Sequence, residues 1–294
     1  MRAAILILTA AALAMPAQAA KPAKPAPLPA AIYTDPAPDK AHPARMEVLH
    51  IPSGGVLING VAYLASGAGP HPTLVLCHGW PGNEKNLDLA QAVRRAGWNV
   101  VTFNYRGSWG SPGSFRFAQN PEDARAVLAY LRDPANAVKL GVDPKRMAIA
   151  GHSMGGWVTA MVAGQDDGLL GAGLISAGNM GAIGTMPRAD VVKISAGNAE
   201  TLAGTSPEQM ADELIAGQQA NNFLQMAPGL AKKSLLVLTS DDGLAPQSDA
   251  LVAAARGAGG KRISAVHAAT DHSWSDKRVF LEGQVIRWLQ GLLK

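Results

Sequence analysis

The chain is predicted to fold as an α/β domain: a mostly parallel sheet, helices on both faces and a small helical lid. Three observations predict it. Short apolar runs alternate with helix-like segments from residue 73 onward. Several of those runs end in Gly-rich or acidic loops. Gly151-His152-Ser153-Met154-Gly155 sits between a strand-like run and a helix-like run, where only a tight turn can join them.

The elements follow in chain order. Residues 1–19 read as a signal peptide. Arg2 supplies a positive start, residues 3–14 are apolar, and Ala17-Gln18-Ala19 is a small-x-small cleavage site. The mature protein is therefore expected to start near Ala20 and to be exported, to the periplasm or outside the cell. Residues 20–45 hold seven of the 20 prolines and read as an extended linker. The domain is expected to occupy residues 46–294. It opens with a hairpin, 46–51 and 56–64, turned at Ser53-Gly54-Gly55.

Strand 73–77 leads to helix 83–95, whose Leu87, Leu89, Ala90 and Val93 form an apolar face. Strand 98–103 leads to a Gly/Ser loop at 106–114. Helix 121–132 is expected to start at Pro121 with Asn120 as N-cap. Strand 146–150, helix 154–163 with Gly164 as its stop, and strand 170–176 follow. Residues 178–230 break the alternation. Ser206–Ala227 reads as helical, capped by Ser206 with Pro207 in the first turn, so the segment is expected to form a lid; an ordinary crossover with one long helix is the alternative. Strands 235–238 and 263–267 and a closing helix, 276–293, complete the pattern.

Composition narrows the class of function. The 294 residues are 48% hydrophobic and 16% charged, enough for a sizeable core. The net charge of +4 is spread along the chain and aromatics are only 5%, which points away from nucleic acid. After the signal segment no apolar run reaches 18 residues, so no stable membrane association is expected. Cys77 is the one cysteine, so an internal disulfide is excluded, and its place in a strand marks it as a buried, inert thiol. No further zinc ligand is evident around His267, Asp271 and His272, so no metal or other cofactor is expected.

Four loops carry the chemistry. Ser153 lies in the Gly-flanked turn, as a nucleophile must if its oxygen is to project from the sheet edge. A serine needs a base and the base an orienting acid. Strand 235–238 delivers Asp241 and Asp242 into a loop, and either could be the acid. His272 lies on a loop before the last helix, whereas His267 lies inside the preceding strand, the usual place of a satisfied core histidine. His78-Gly79-Trp80-Pro81-Gly82 follows a strand and can offer backbone N–H groups to an oxyanion.

Together these pieces resemble the α/β-hydrolase superfamily, closest in flavour to dienelactone-hydrolase and prolyl-oligopeptidase-like serine hydrolases. The matching stretches are 78–82, 104–113, 151–156, 239–246 and 271–274. Thr239 stands where such families usually carry Gly. The resemblance implies an α/β-hydrolase fold, with Ser153 as nucleophile, His272 as base and Asp242, rather than Asp241, as acid. It implies the Trp80 and Met154 amides as the oxyanion hole. Arg106, in the loop at 104–113, is expected to brace loops. The implied substrate is a carboxylic ester, or alternatively a short peptide, whose amine Glu208, Asp212 and Glu213 would hold. A non-catalytic binding protein on the same fold is the remaining alternative.

Overall fold

The computed structural model describes residues 27–294. The expected signal peptide and residues 20–26 of the expected linker lie outside the described residues. Eight strands form one sheet: β1 (Arg45–Ser53), β2 (Val56–Leu64), β3 (His71–Cys77), β4 (Asn99–Phe103), β5 (Val142–His152), β6 (Leu169–Ile175), β7 (Ser234–Ser240) and β8 (Ile263–Ala268). Their spatial order is β1-β2-β4-β3-β5-β6-β7-β8. The first two pairings are antiparallel and every later one is parallel. The helices are α1 (Leu87–Arg95), α2 (Gln119–Arg132), α3 (Pro134–Leu140), α4 (Met154–Ala163), α5 (Met180–Ile183), α6 (Arg188–Ala196), α7 (Pro207–Ala216), α8 (Ala227–Leu230), α9 (Ala245–Gly257) and α10 (Arg278–Gly291).

The central strands are continuous apolar runs because both of their faces are covered. Val75, Ile149, Val237 and their neighbours pack with α2, α4 and α9 in one cluster. The alternate residues Leu74, Leu76, Ala148, Leu236 and Leu238 pack with α1 and α10 in the other. Cys77 and Trp157 are fully buried in the first cluster. Burial pushes the Cys77 thiol up to about 12, which keeps it protonated and inert as expected.

Five local expectations are corrected. The first helix begins at Leu87 rather than 83, because Gly82 and Asn86 hold positive φ angles of 94° and 56° ahead of it. Asn120 is not an N-cap. The Gln119 and Asn120 amides close onto the Arg116 and Phe117 carbonyls, so the helix grows out of the preceding turn. The Asn120 side chain is instead buried beside Met154, its Nδ2 3.3 Å from Sδ. Ser206 does cap α7, its Oγ accepting from the Gln209 amide, but the helix stops at Ala216 before Gly217, a weak helix former. The alternative of one long helix across 178–230 is overturned, since the segment carries short helices, α5 to α8, with a 3₁₀ turn at Phe223–Met226. Finally, His267 is exposed rather than in the core, because β8 is the edge strand of the sheet.

Part of the expected linker is docked on the body. Ala30–Ile32 form a 3₁₀ turn, and the Arg95 guanidinium donates to the Ala31 and Ile32 carbonyls at 2.6 and 3.0 Å. Alternation in the sequence thus led to the right layers, and the parallel strands bring their C-terminal ends to one edge, where ligands of such sheets bind.

Candidate active site

Ser153 occupies the turn between β5 and α4 at φ 58° and ψ −123°. A non-glycine residue avoids that region, and holding it there costs on the order of 1–3 kcal/mol. The surroundings over-determine it. The Ser153 amide donates to the Ile175 carbonyl at 2.9 Å, and the Ser153 carbonyl accepts from the Gly156 and Gly178 amides at 2.9 and 3.2 Å. The flanking glycines are required by space: a Cβ on Gly151 would lie 2.1 Å from the Gly155 carbonyl oxygen, and one on Gly155 would lie 2.2 Å from the Cys77 carbonyl oxygen. This turn therefore exists only because α4 packs directly against the ends of β3 and β5.

Asp242 and His272 come together. His272 Nδ1 lies 2.7 Å from Asp242 Oδ2, and the other carboxylate oxygen accepts from the Leu244 amide at 2.9 Å. The Asp242 side chain is 5% exposed, that of Asp241 62%. Burial pushes the Asp242 carboxyl up, but the hydrogen bonds from His272 and the Leu244 amide outweigh it and hold the group at about 2. The carboxylate is thus charged and the Nδ1 of His272 carries the hydrogen. Asp241 pairs instead with His267, at 3.0 Å, and His267 Nδ1 lies 3.0 Å from Thr239 Oγ1. Thr239, the position usually filled by Gly, has a use here: it holds the neighbouring histidine.

His272 lies over the residue before Ser153. Its ring centroid is 4.6 Å from that of His152, and His152 Nε2 donates to the His272 carbonyl at 2.7 Å. Burial drives His152 down to about 4, so this donor stays neutral and its tautomer is fixed by the bond. No sequence pattern marked His152, the variable position inside the Gly-x-Ser-x-Gly turn. Among the described residues, Ser153 Oγ makes no hydrogen bond; the Asp242–His272 link is formed and the Ser153–His272 link is not. Such links often tighten only with substrate bound.

The two amides expected to receive an oxyanion, those of Trp80 and Met154, lie beside the serine. Gly79 abuts it: a Cβ there would be 2.9 Å from Ser153 Cβ and 3.4 Å from Oγ. Trp80 is the next residue, and Met154 is the first residue of α4. Among the described residues, neither the Trp80 nor the Met154 amide donates to a protein acceptor. His78 shapes this loop. It is buried, its Nδ1 donates to the Gly79 carbonyl at 2.8 Å, and burial lowers it to about 4.

Three tryptophans and Arg106 make structural bonds. Trp109 Nε1 donates to the Pro81 carbonyl at 2.7 Å and Trp157 Nε1 to the Asn221 carbonyl at 2.7 Å. Trp274 is fully buried and donates to Ser176 Oγ at 3.0 Å. Arg106 braces its loop against α2: its Nε donates to Asp123 Oδ1 at 2.6 Å, its backbone amide to Asp123 Oδ2 at 2.9 Å, and an Nη to Glu122 at 2.7 Å. Residues 201–203 are strapped to the same loop, with Trp109 N on the Thr201 carbonyl and Ala203 N on the Gly107 carbonyl. Among the described residues no group of three or more His, Cys, Asp or Glu could hold a metal ion, and no helix is long and apolar enough to cross a membrane.

Residues 74–282 match the family model for the Alpha/beta hydrolase family. Two uncharacterized proteins of Mycobacterium tuberculosis strains are 31% identical over 124 residues, so the chain spans 42% of the length of these curated relatives and the match takes in 42% of this chain. Among solved structures, EstE1, a thermophilic and thermostable carboxylesterase cloned from a metagenomic library, superposes with a TM-score of 0.64 at 21% identity, covering 90% of this chain and 92% of that one. An esterase of Pyrobaculum calidifontis gives 0.62 at 20% identity, with 86% and 88% covered. A puromycin-hydrolyzing peptidase of Mycobacterium tuberculosis gives 0.63 at 19% identity, covering 87% of this chain and 40% of that one.

Proposed function

The chain belongs to the Alpha/beta hydrolase family, and from that premise we propose that it is a serine-dependent hydrolase of carboxylic esters. The observation that carries this reading is the buried, charged Asp242 holding His272 against the residue that precedes Ser153. His272 takes the proton from Ser153 Oγ as that oxygen attacks the ester carbonyl. Asp242 keeps the imidazole oriented and stabilises its cation. The free amides of Trp80 and Met154 receive the charge that develops on the carbonyl oxygen. The proton then passes to the departing alcohol, which leaves an acyl group on Ser153. A water molecule, deprotonated by the same histidine, releases the acid and restores the serine.

An ester is favoured over a peptide with a free amine. Two of the acids that could hold such an amine are already engaged, Asp212 with Arg188 at 2.7 Å and Glu208 with Ser206 at 2.9 Å, and Glu213 accepts from the Ala118 amide at 2.9 Å through one of its two oxygens. The helical insertion between β6 and β7 would then roof the acyl group as a lid. The test is hydrolysis of short-chain p-nitrophenyl esters against aminoacyl anilides, with fluorophosphonate labelling of the same samples. Ester turnover and labelling, both lost in Ser153→Ala, are expected. Labelling that survives in Ser153→Ala, or preference for the anilides, overturns the reading. Absence of both turnover and labelling in the wild-type protein points to a binding protein instead.

A further inference from the structure

A second concavity lies beside this site, and its chemistry differs from that of an acyl pocket. It has a volume of about 450 Å³ and lies between the loop after β6, the chain after α7 and the start of α9. Its walls carry six carboxamides, Asn179, Gln218, Gln219, Asn222, Gln225 and Gln247, and no charged side chain. The volume suits a small ligand. It starts one residue from the serine turn, because Gly178, which donates to the Ser153 carbonyl, precedes Asn179.

Three of these carboxamides are fixed in orientation by bonds to main-chain groups of other residues. Gln247 Oε1 accepts from the Asn179 amide at 2.8 Å, so its NH₂ group is turned outward. Asn222 Oδ1 accepts from the Leu224 amide at 3.1 Å and from Asn179 Nδ2 at 3.0 Å, which leaves its own Nδ2 as a donor. Gln225 Nε2 donates to the Gln219 carbonyl at 2.6 Å, which leaves Oε1 as an acceptor. Among the described residues these outward halves have no protein partner. A donor half cannot flip to become an acceptor without breaking a bond to the backbone.

We infer that this cleft binds a neutral polyhydroxylated ring, a sugar. Each hydroxyl of a sugar both donates and accepts, so it is satisfied by fixed amide donors and acceptors set side by side. The lack of charge gives no anchor for a phosphate, a carboxylate or an amine, and Ala182, Leu224 and Ala250 offer small apolar surface to the C–H face of the ring. That this sugar is part of the ester substrate rests on the hydrolase reading above; the binding itself does not.

The test uses the full chain carrying Ser153→Ala, titrated calorimetrically with xylotetraose, cellotetraose and mannotetraose. At least one is expected to bind with Kd near or below about 1 mM. Gln247→Glu and Asn222→Asp each keep the oxygen that accepts from the backbone and replace the outward NH₂ by an oxygen. Each is expected to weaken binding about tenfold or more with the melting temperature retained, because a hydroxyl facing the lost donor goes unpaired. If no saccharide binds, or if both substitutions leave affinity unchanged, the inference fails. It also fails if the neutral peptide acetyl-Ala-Ala-Ala-amide binds and the saccharides do not. Hydrolysis is scored separately on acetylated xylotetraose with Ser153 intact: saccharide binding without turnover of any ester refutes the hydrolase reading and leaves the cleft standing.

Discussion

Asp242 holds His272 at 2.7 Å while its immediate neighbour Asp241 holds a different histidine, His267, at 3.0 Å. Two adjacent acids thus serve two imidazoles, one pair half sheltered and the other out in solvent. Only the sheltered pair stands over the serine turn, so the two acids should behave very differently. Asp242→Asn is expected to lower kcat by about 10⁴, because the wrong histidine tautomer is then favoured. Asp241→Asn is expected to leave it within a factor of about two to three, as befits an exposed pair. Equal effects in a p-nitrophenyl ester assay would contradict the assignment of the acid.

Two glycines should separate stability from activity. Gly155→Ala forces a methyl group onto the Cys77 carbonyl oxygen, 2.2 Å away, and backbone cannot yield cheaply. It is expected to cost about 1–3 kcal/mol or more and to lower the melting temperature by several degrees. Gly79→Ala points at Ser153 Cβ, 2.9 Å away, from a buried position beside the half-buried serine. There the expectation is a large loss of kcat with a small change in melting temperature, read by scanning calorimetry on both variants.

The buried histidines make stability depend on pH. Burial lowers both His78 and His152 to about 4 in the folded chain, whereas an unfolded histidine titrates near 6.5. Between those values the unfolded chain binds more protons, so stability rises with pH. The contribution is fully present above about 6.5 and is lost as pH falls toward about 4, by at most about 3 kcal/mol for each residue. Melting temperatures from pH 7.5 to 4 should fall accordingly, and His152→Gln should flatten the curve. A wild-type curve that is level across this range would refute the account.

Arg106 tests the brace. Asp123 is fully buried and takes both the Arg106 side chain and its backbone amide, with Ser53 Oγ donating at 2.5 Å. Arg106→Met leaves that carboxylate unpaired in the interior and is expected to cost about 3–5 kcal/mol in urea denaturation. Adding Asp123→Leu should restore much of it. A double variant as unstable as the single one would show that the guanidinium acts through packing instead.

Much of the fold was legible because both faces of the sheet are covered. That produces uninterrupted runs such as Leu74-Val75-Leu76 and Leu235-Leu236-Val237-Leu238, and helix-like segments lie between them. Ser153 and its glycines were legible because a close approach of backbones leaves no other residue type possible. What escaped depends on contacts distant in sequence. Asp241 and Asp242 are chemically identical neighbours, and only the fold sends one to His272. His267 looked like a core residue because its strand is apolar, but an edge strand has one flank open. Asn120 carried the residue type of a cap and was drawn instead to Met154 Sδ. The role of His152 depends on a carbonyl 120 residues away, which no local pattern encodes.

The conformation of residue 153 is set by its amide, its carbonyl and the glycines around it, and its hydroxyl takes no part in holding the turn. An alanine at this position should therefore keep the same backbone and the same neighbours. Such a silent copy of the protein can be loaded with candidate molecules, left for hours and crystallised with its cargo uncut, which makes it a means of fishing for the natural compound.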